Sequence, residues 1–253
     1  MRIILLSGLV SLLVSCEYPR QVPLADSPQS IYARNIKSVW EVSDIYFEAD
    51  GTKIKEGEIW YRKSGPILIA APHEPSDRFT GDIVFEICRI NPEFSCLVAK
   101  NFRSDRDGRL RYNVNRPTIT NGSDSCDRPN RFAYRIFQNF REYLERSSVR
   151  LYVEIHGNSR PLSQNAIEIA HEGINAIRIE QAFSGLPVKI EGLSFIHFRA
   201  REAKACGTLD VMPSSIHLEL PFDFRDPDKP VGKNIAANLN NAIKRLDLVS
   251  FGS

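Results

Sequence analysis

Charge of one sign is nearly balanced in this chain. Thirty-three Lys+Arg face 31 Asp+Glu over 253 residues, a formal net charge of +2. No basic block stands out, so neither a nucleic-acid footprint nor a polybasic membrane patch is indicated. Internal repeats and low-complexity tracts are absent, which argues against a stacked-repeat architecture. None of the five cysteines forms a Cys-x-x-Cys pair, so thiol redox chemistry ranks last among the functions considered. Histidine is scarce, with five in the chain, so each one can be weighed singly. What is present is ordinary globular material, 42% apolar and 25% charged, enough for one large domain with a buried core.

The N-terminus carries a local signal. Met1–Arg2 precedes the largely apolar run Ile3–Val14, then Ser15–Cys16. The run is too short to cross a bilayer as a helix and reads as the apolar region of a secretory signal over residues 1–15. Leu13–Val14–Ser15–Cys16 resembles the bacterial lipobox, which implies lipidation of Cys16 and anchoring of the chain to a membrane. Glu17, after that cysteine, implies by the same resemblance the outer membrane, facing the periplasm. A plain signal peptide that happens to contain a cysteine is the alternative. Residues 16–38, with Pro19, Pro23 and Pro28, read as a tether to a domain over 39–253.

Export implies an oxidising compartment. Cys88, Cys96, Cys126 and Cys206 then allow three pairings. Cys88–Cys96 with Cys126–Cys206 is preferred, because the first two flank one helix-to-strand turn. Four buried free thiols are the alternative.

Along the domain, strand-like segments alternate with helical ones. "SVWEVSDIYFEADGT" and "GEIWYRK" alternate as strands around a turn at 49–51, and "PILIAA" is the continuous apolar run of a doubly covered strand. Ile83, Val84 and Ile87 recur at helical spacing after Thr80, which is read as the helix cap. "FSCLVAKNF" reads as a strand, and 104–128 as a long polar loop of the kind that carries function. Phe132, Ile136, Phe137, Phe140, Tyr143 and Leu144 mark a helix over 130–146. "VRLYVEI", "NAIEIA", "VKIEGLSF" and "SSIHLELP" read as strands. Helices are expected at 174–183, at 200–206 stopping on Gly207, and at 234–246. The pattern predicts a single α/β domain, with a mostly parallel or mixed central sheet and helices on both faces.

Open α/β sheets form sites beyond the C-terminal ends of their strands. "PILIAAPHEPSD" delivers His73, Glu74 and Asp77 there. "LYVEIHGN" delivers His156 and is expected to stop at the Gly157–Asn158 turn. "SIHLELP" delivers Glu219, and "RYNVNRPT" in the long loop offers Asn115 and Arg116. Two imidazoles and a carboxylate are a common catalytic zinc shell with a fourth position left for water. A separate carboxylate can act as general base, and a guanidinium can clamp a substrate carboxylate through paired hydrogen bonds. Arg160 could line the rim, or be an exposed loop cation. Glu154 could orient a ligand, or be a solvated strand residue. His171, His197 and His217 read as packed or surface histidines, although His217 shares a strand face with Glu219.

The ordered set "APHEPSD…NVNRPT…EIHGN…HLELP" resembles the zinc carboxypeptidases and their relatives, the succinylglutamate desuccinylases and N-formylglutamate amidohydrolases. The resemblance covers residues 66–221. It implies a zinc-carboxypeptidase-like fold, zinc held by His73, Asp77 and His156, Glu219 as general base, and Asn115 with Arg116 on the substrate. The family's His-x-x-Glu would need an acid at position 76, which is Ser76. Asp77 is preferred as third ligand, with Glu74 as the alternative, and Asp77 could instead cap a helix. The implied activity is metal-dependent hydrolysis of an amide bond in a small acyl-amino acid or an envelope peptide. A non-enzymatic envelope lipoprotein that keeps the fold as a binding or assembly module is the competing reading.

Overall fold

In the computed structural model, the described residues are 39–49, 52–74, 76–102, 111–120, 126–129, 131–146, 148–197 and 205–251. The signal segment, Cys16 and the tether lie outside them. Among these residues an eight-stranded sheet forms in the order β1-β2-β4-β3-β7-β10-β8-β9. Its strands are β1 (Glu41–Ala49), β2 (Thr52–Arg62), β3 (Ile67–Glu74), β4 (Ser95–Lys100), β7 (Leu151–Asn158), β8 (Ile167–Glu172), β9 (Val188–Ile190) and β10 (Ser215–Pro221). Two short strands, β5 (Arg111–Tyr112) and β6 (Ile119–Thr120), make a separate antiparallel pair within the polar loop.

The sheet is mixed. β4, β3, β7 and β10 run parallel to their neighbours in that central set. β1 and β2 add antiparallel at one side, and β8 adds antiparallel to β10 at the other. The central strands are apolar on successive residues because both faces are covered. Helix α1 (Thr80–Ile90) is tied by the Cys88–Cys96 disulfide to the face that carries Ile69, whose register partner is Cys96. Helix α2 (Arg131–Glu145) covers the opposite face. Its Ala133, Ile136, Phe140 and Leu144 cluster with Leu68, Ala70, Leu97, Ala99 and Tyr152. Burying each large aliphatic side chain contributes about 1.5–3 kcal/mol before entropy is counted.

Among the described residues the later α-helices are α3 (Ala176–Ala182), α4 (Thr208–Val211), α5 (Phe222–Arg225) and α6 (Ile235–Phe251). The last runs past the expected end at 246, because Leu246 is buried and nothing in the following residues breaks the helix. Of the helix expected at 200–206, residues 200–204 lie outside the described residues; Ala205 and Cys206 form a turn, and Gly207, extended, is the N-cap of α4. Thr80 does not cap α1 as N-cap. It is the first helical residue, its hydroxyl donating to the Asp77 carbonyl at 2.7 Å.

Both preferred disulfides are present, Cys88–Cys96 and Cys126–Cys206. The second joins the polar loop to the turn just before α4.

Candidate metal centre

The site lies on one face of β7 and β10, at the end where β3 also stops. In the parallel β7–β10 register Glu154 faces His217 and His156 faces Glu219, so these four side chains share a face. β3 would by simple alternation aim Glu74 to that face and His73 away from it. A bulge prevents this: Ala71 pairs with Val98, yet Glu74 pairs with Lys100, so three steps on β3 meet two on β4. The extra residue reverses the facing of the positions after it, and His73 turns toward His156. Their rings meet edge to face at 4.8 Å between centroids.

Asp77 comes next in a tight turn, its N–H donating to the His73 carbonyl at 2.8 Å. Its Oδ2 lies 3.3 Å from His73 Nδ1 and 3.4 Å from His156 Nδ1. One ligand atom from each of these three residues falls within 4.8 Å of the others. Zinc at about 2.0–2.1 Å from tetrahedral ligands separates neighbouring donor atoms by roughly 3.3–3.4 Å. Both separations from Asp77 Oδ2 match that edge, so the donor chemistry and these two spacings fit zinc. Glu74 points elsewhere. Its Oε2 accepts from the Gly81 N–H at 2.9 Å, at the start of α1. Burial pushes the Glu74 carboxyl up to about 7, with the Gly81 hydrogen bond opposing.

Behind the cluster sits Glu154, fully buried. Burial works against its charge, but hydrogen bonds from His156 and His217 hold its carboxyl well below the usual range. Burial likewise opposes charge on His156, yet Asp77 and Glu154 push that imidazole up to about 9 in the metal-free chain. Glu154 is therefore not a solvated strand residue.

Asn115 is brought to the site, but its Nδ2 donates to Glu154 Oε2 at 3.1 Å. Arg116 occupies the same turn and is half-buried. Arg160 is half-exposed at the rim, with Nη1 3.9 Å from Glu219 Oε2. A shallow cleft between His73, Glu74 and Ser76 on one side and Phe102, Tyr112 and Val114 on the other lies beside the cluster.

Four participants escaped the sequence reading or were undervalued by it. His217 is not a bystander. Its ring stacks on His156 at 4.0 Å and 11°, between Glu154 and Glu219. Its alternation with Glu219 was the available signal. Tyr152 and Thr208 donate hydroxyls to Glu154 Oε1. Tyr152 alternates with Glu154 and His156 and could have been placed, whereas nothing near Thr208 marks it. Arg225 is buried, with Nε donating to the Leu220 carbonyl at 3.1 Å and Nη1 to the Arg78 carbonyl at 2.5 Å. Burial lowers the pKa of its guanidinium, and the charges of Asp77, Glu219 and Glu74 oppose that.

Arg225 also corrects the expected end of β7, which runs on to Asn158. A Cβ at Gly157 would lie 2.6 Å from the guanidinium carbon of Arg225, so glycine stands here to admit that side chain and not to turn the chain. His197 and His171 keep minor roles, the first 2.9 Å from Glu168 Oε1 and the second 3.2 Å from the Glu191 carbonyl.

No family model and no curated protein matches the sequence. Solved structures do match the fold. Thrombin activatable fibrinolysis inhibitor superposes with a TM-score of 0.50 at 9% identity, over 87% of this chain and 71% of that one. The fold is zinc-carboxypeptidase-like. Further matches are an aspartoacylase family protein from Mesorhizobium loti (TM-score 0.49, 15% identity, 85% of this chain and 68% of that one) and N-formylglutamate amidohydrolase from Ralstonia eutropha JMP134 (0.42, 12%, 74% and 94%).

Proposed function

We propose that the protein is a zinc-dependent hydrolase of an amide bond in a small acyl-amino acid or a cell-envelope peptide. The observation that carries this reading is the placing of Asp77 Oδ2 at tetrahedral-edge spacing from both His73 Nδ1 and His156 Nδ1. These three residues would hold the ion, which when bound supplies Lewis acidity and lowers the pKa of a water toward neutrality.

Glu219, beside His156 in register and nearly buried, is the general base. Its carboxylate takes a proton from the attacking water and returns it to the leaving nitrogen. Arg116 and Arg160 hold a substrate carboxylate through paired hydrogen bonds. Asn115 serves the substrate indirectly, by fixing Glu154. Arg225 balances the negative charge of Asp77, Glu219 and Glu74 without leaving the interior. The lipobox-like Leu13–Cys16 supports a lipid anchor at Cys16 and a place on the outer membrane facing the periplasm.

Zinc reconstitution of the purified chain is expected to load about one ion per molecule, and His73→Ala combined with His156→Ala to abolish loading. Amine release from a panel of N-acyl amino acids and short peptides reads the activity. Glu219→Gln should keep the metal and lose turnover. A wild-type chain that takes up no zinc would sink the proposal, and one that loads zinc but turns over nothing would favour a binding module.

A further inference from the structure

Five polar groups converge on the Glu154 carboxylate. Oε1 accepts from the Tyr152 hydroxyl at 2.8 Å and from the Thr208 hydroxyl. Oε2 accepts from Asn115 Nδ2 at 3.1 Å and faces His156 Nε2 at 3.2 Å and His217 Nδ1 at 3.0 Å. An ionised carboxylate offers about four lone-pair sites, so this one is saturated as an acceptor.

Because an ionised carboxylate can only accept, it dictates where the ring protons sit. A neutral His156 must carry its proton on Nε2, toward Glu154, which leaves the Nδ1 lone pair toward Asp77. His217 likewise turns Nδ1 to this carboxylate at 3.0 Å, which requires a proton on that nitrogen. The two rings are stacked, so neither can flip without displacing the other.

We propose that Glu154 is a positioning residue for the metal centre. It fixes His156 as an Nδ1 metal ligand and orients the ring of His217 that stacks on it. The inference rests on the zinc-hydrolase reading. Glu154, His156 and His217 also lie close enough to hold an ion themselves. The surrounding donors oppose that use, since Tyr152, Thr208 and Asn115 direct hydrogens at both oxygens a cation would need.

Two measurements on the zinc-loaded full chain decide the matter. Long-range proton–nitrogen NMR of the histidine rings should find the proton on Nε2 of His156 and on Nδ1 of His217. Chelator competition should give one zinc per wild-type chain, and for Glu154→Gln an affinity about 10–100-fold weaker with an altered cobalt-substituted spectrum. Equal zinc affinity in Glu154→Gln, the opposite tautomer at either histidine, or two zinc ions per chain would overturn this inference alone. A wild-type chain that binds no zinc would remove the hydrolase reading with it. The tautomer measurement needs no variant, so it stands even if Glu154→Gln fails to fold.

Discussion

β7 and β10 present two faces made from alternate residues of the same strands. On one face Val153, Ile155, Ile216, Leu218 and Leu220 are all completely buried and apolar. On the other, Tyr152, Glu154, His156, His217 and Glu219 are also buried, yet polar or ionisable. The first face is held by non-directional transfer of surface from water, and each side chain contributes nearly on its own. The second is held only because every group answers another, so its members stand or fall together. Burial is the same on both faces, and the difference lies in whether a partner must be specified.

Breaking the polar face at its centre should have the largest effect. Glu154→Ala strands two imidazoles, an amide and two hydroxyls, and is expected to cost about 3–5 kcal/mol, read by urea unfolding of chelated protein. A loss below that of a core truncation would mean the polar face is not cooperative.

Leu218→Ala, from the apolar face of the neighbouring strand, is expected to cost about 3 kcal/mol through lost transfer energy and a cavity. Zinc stoichiometry should be unchanged in this variant. If it falls, the two faces are not separable.

Acidity separates the faces further, because only the polar one titrates. His156 is raised to about 9, so its contribution in chelated protein is complete below 6.5 and lost as pH climbs through 9. Glu154 is the same interaction seen from its partner. Depressed in the folded chain, it contributes above its ordinary value and loses that as pH falls through the folded one. Glu74, on β3 and outside both of these faces, is raised to about 7 by burial, contributes below 4.5 and has lost this once pH passes 7. Urea midpoints of the chelated chain should therefore fall between pH 4.5 and 9, and His156→Gln should flatten the upper part of that fall. Zinc affinity should move the other way and tighten with pH, because the ligand imidazole must lose its proton.

The smallest effect is expected at Gly157→Ala, about 1 kcal/mol by thermal melting. The added methyl overlaps only the far end of Arg225, yet that end is buried and hydrogen-bonded. No shift at all would mean that Arg225 can move aside freely.

Much of this was written locally. Alternation in "LYVEIHGN" and "SIHLELP", the apolar run "PILIAA" and the helical spacing from Phe132 to Leu144 determine strands, helices and a doubly covered α/β sheet. They do so because periodicity is a property of consecutive residues. The order of His73, His156 and Glu219 along the chain, each at the end of a strand, also groups the histidines and the late glutamate into one set.

Other decisions needed the folded backbone. Asp77 rather than Glu74 joins the histidines because a bulge in β3 reverses the facing of His73 and Glu74, and its register exists only once β4 is paired. Asn115, Thr208 and His217 reach Glu154 across 39, 54 and 63 positions. No local pattern encodes such a meeting, because hydrogen-bond partners of a buried carboxylate are chosen by proximity in space. The sequence thus determined which chemistry was carried, and the tertiary structure decided which atoms share it.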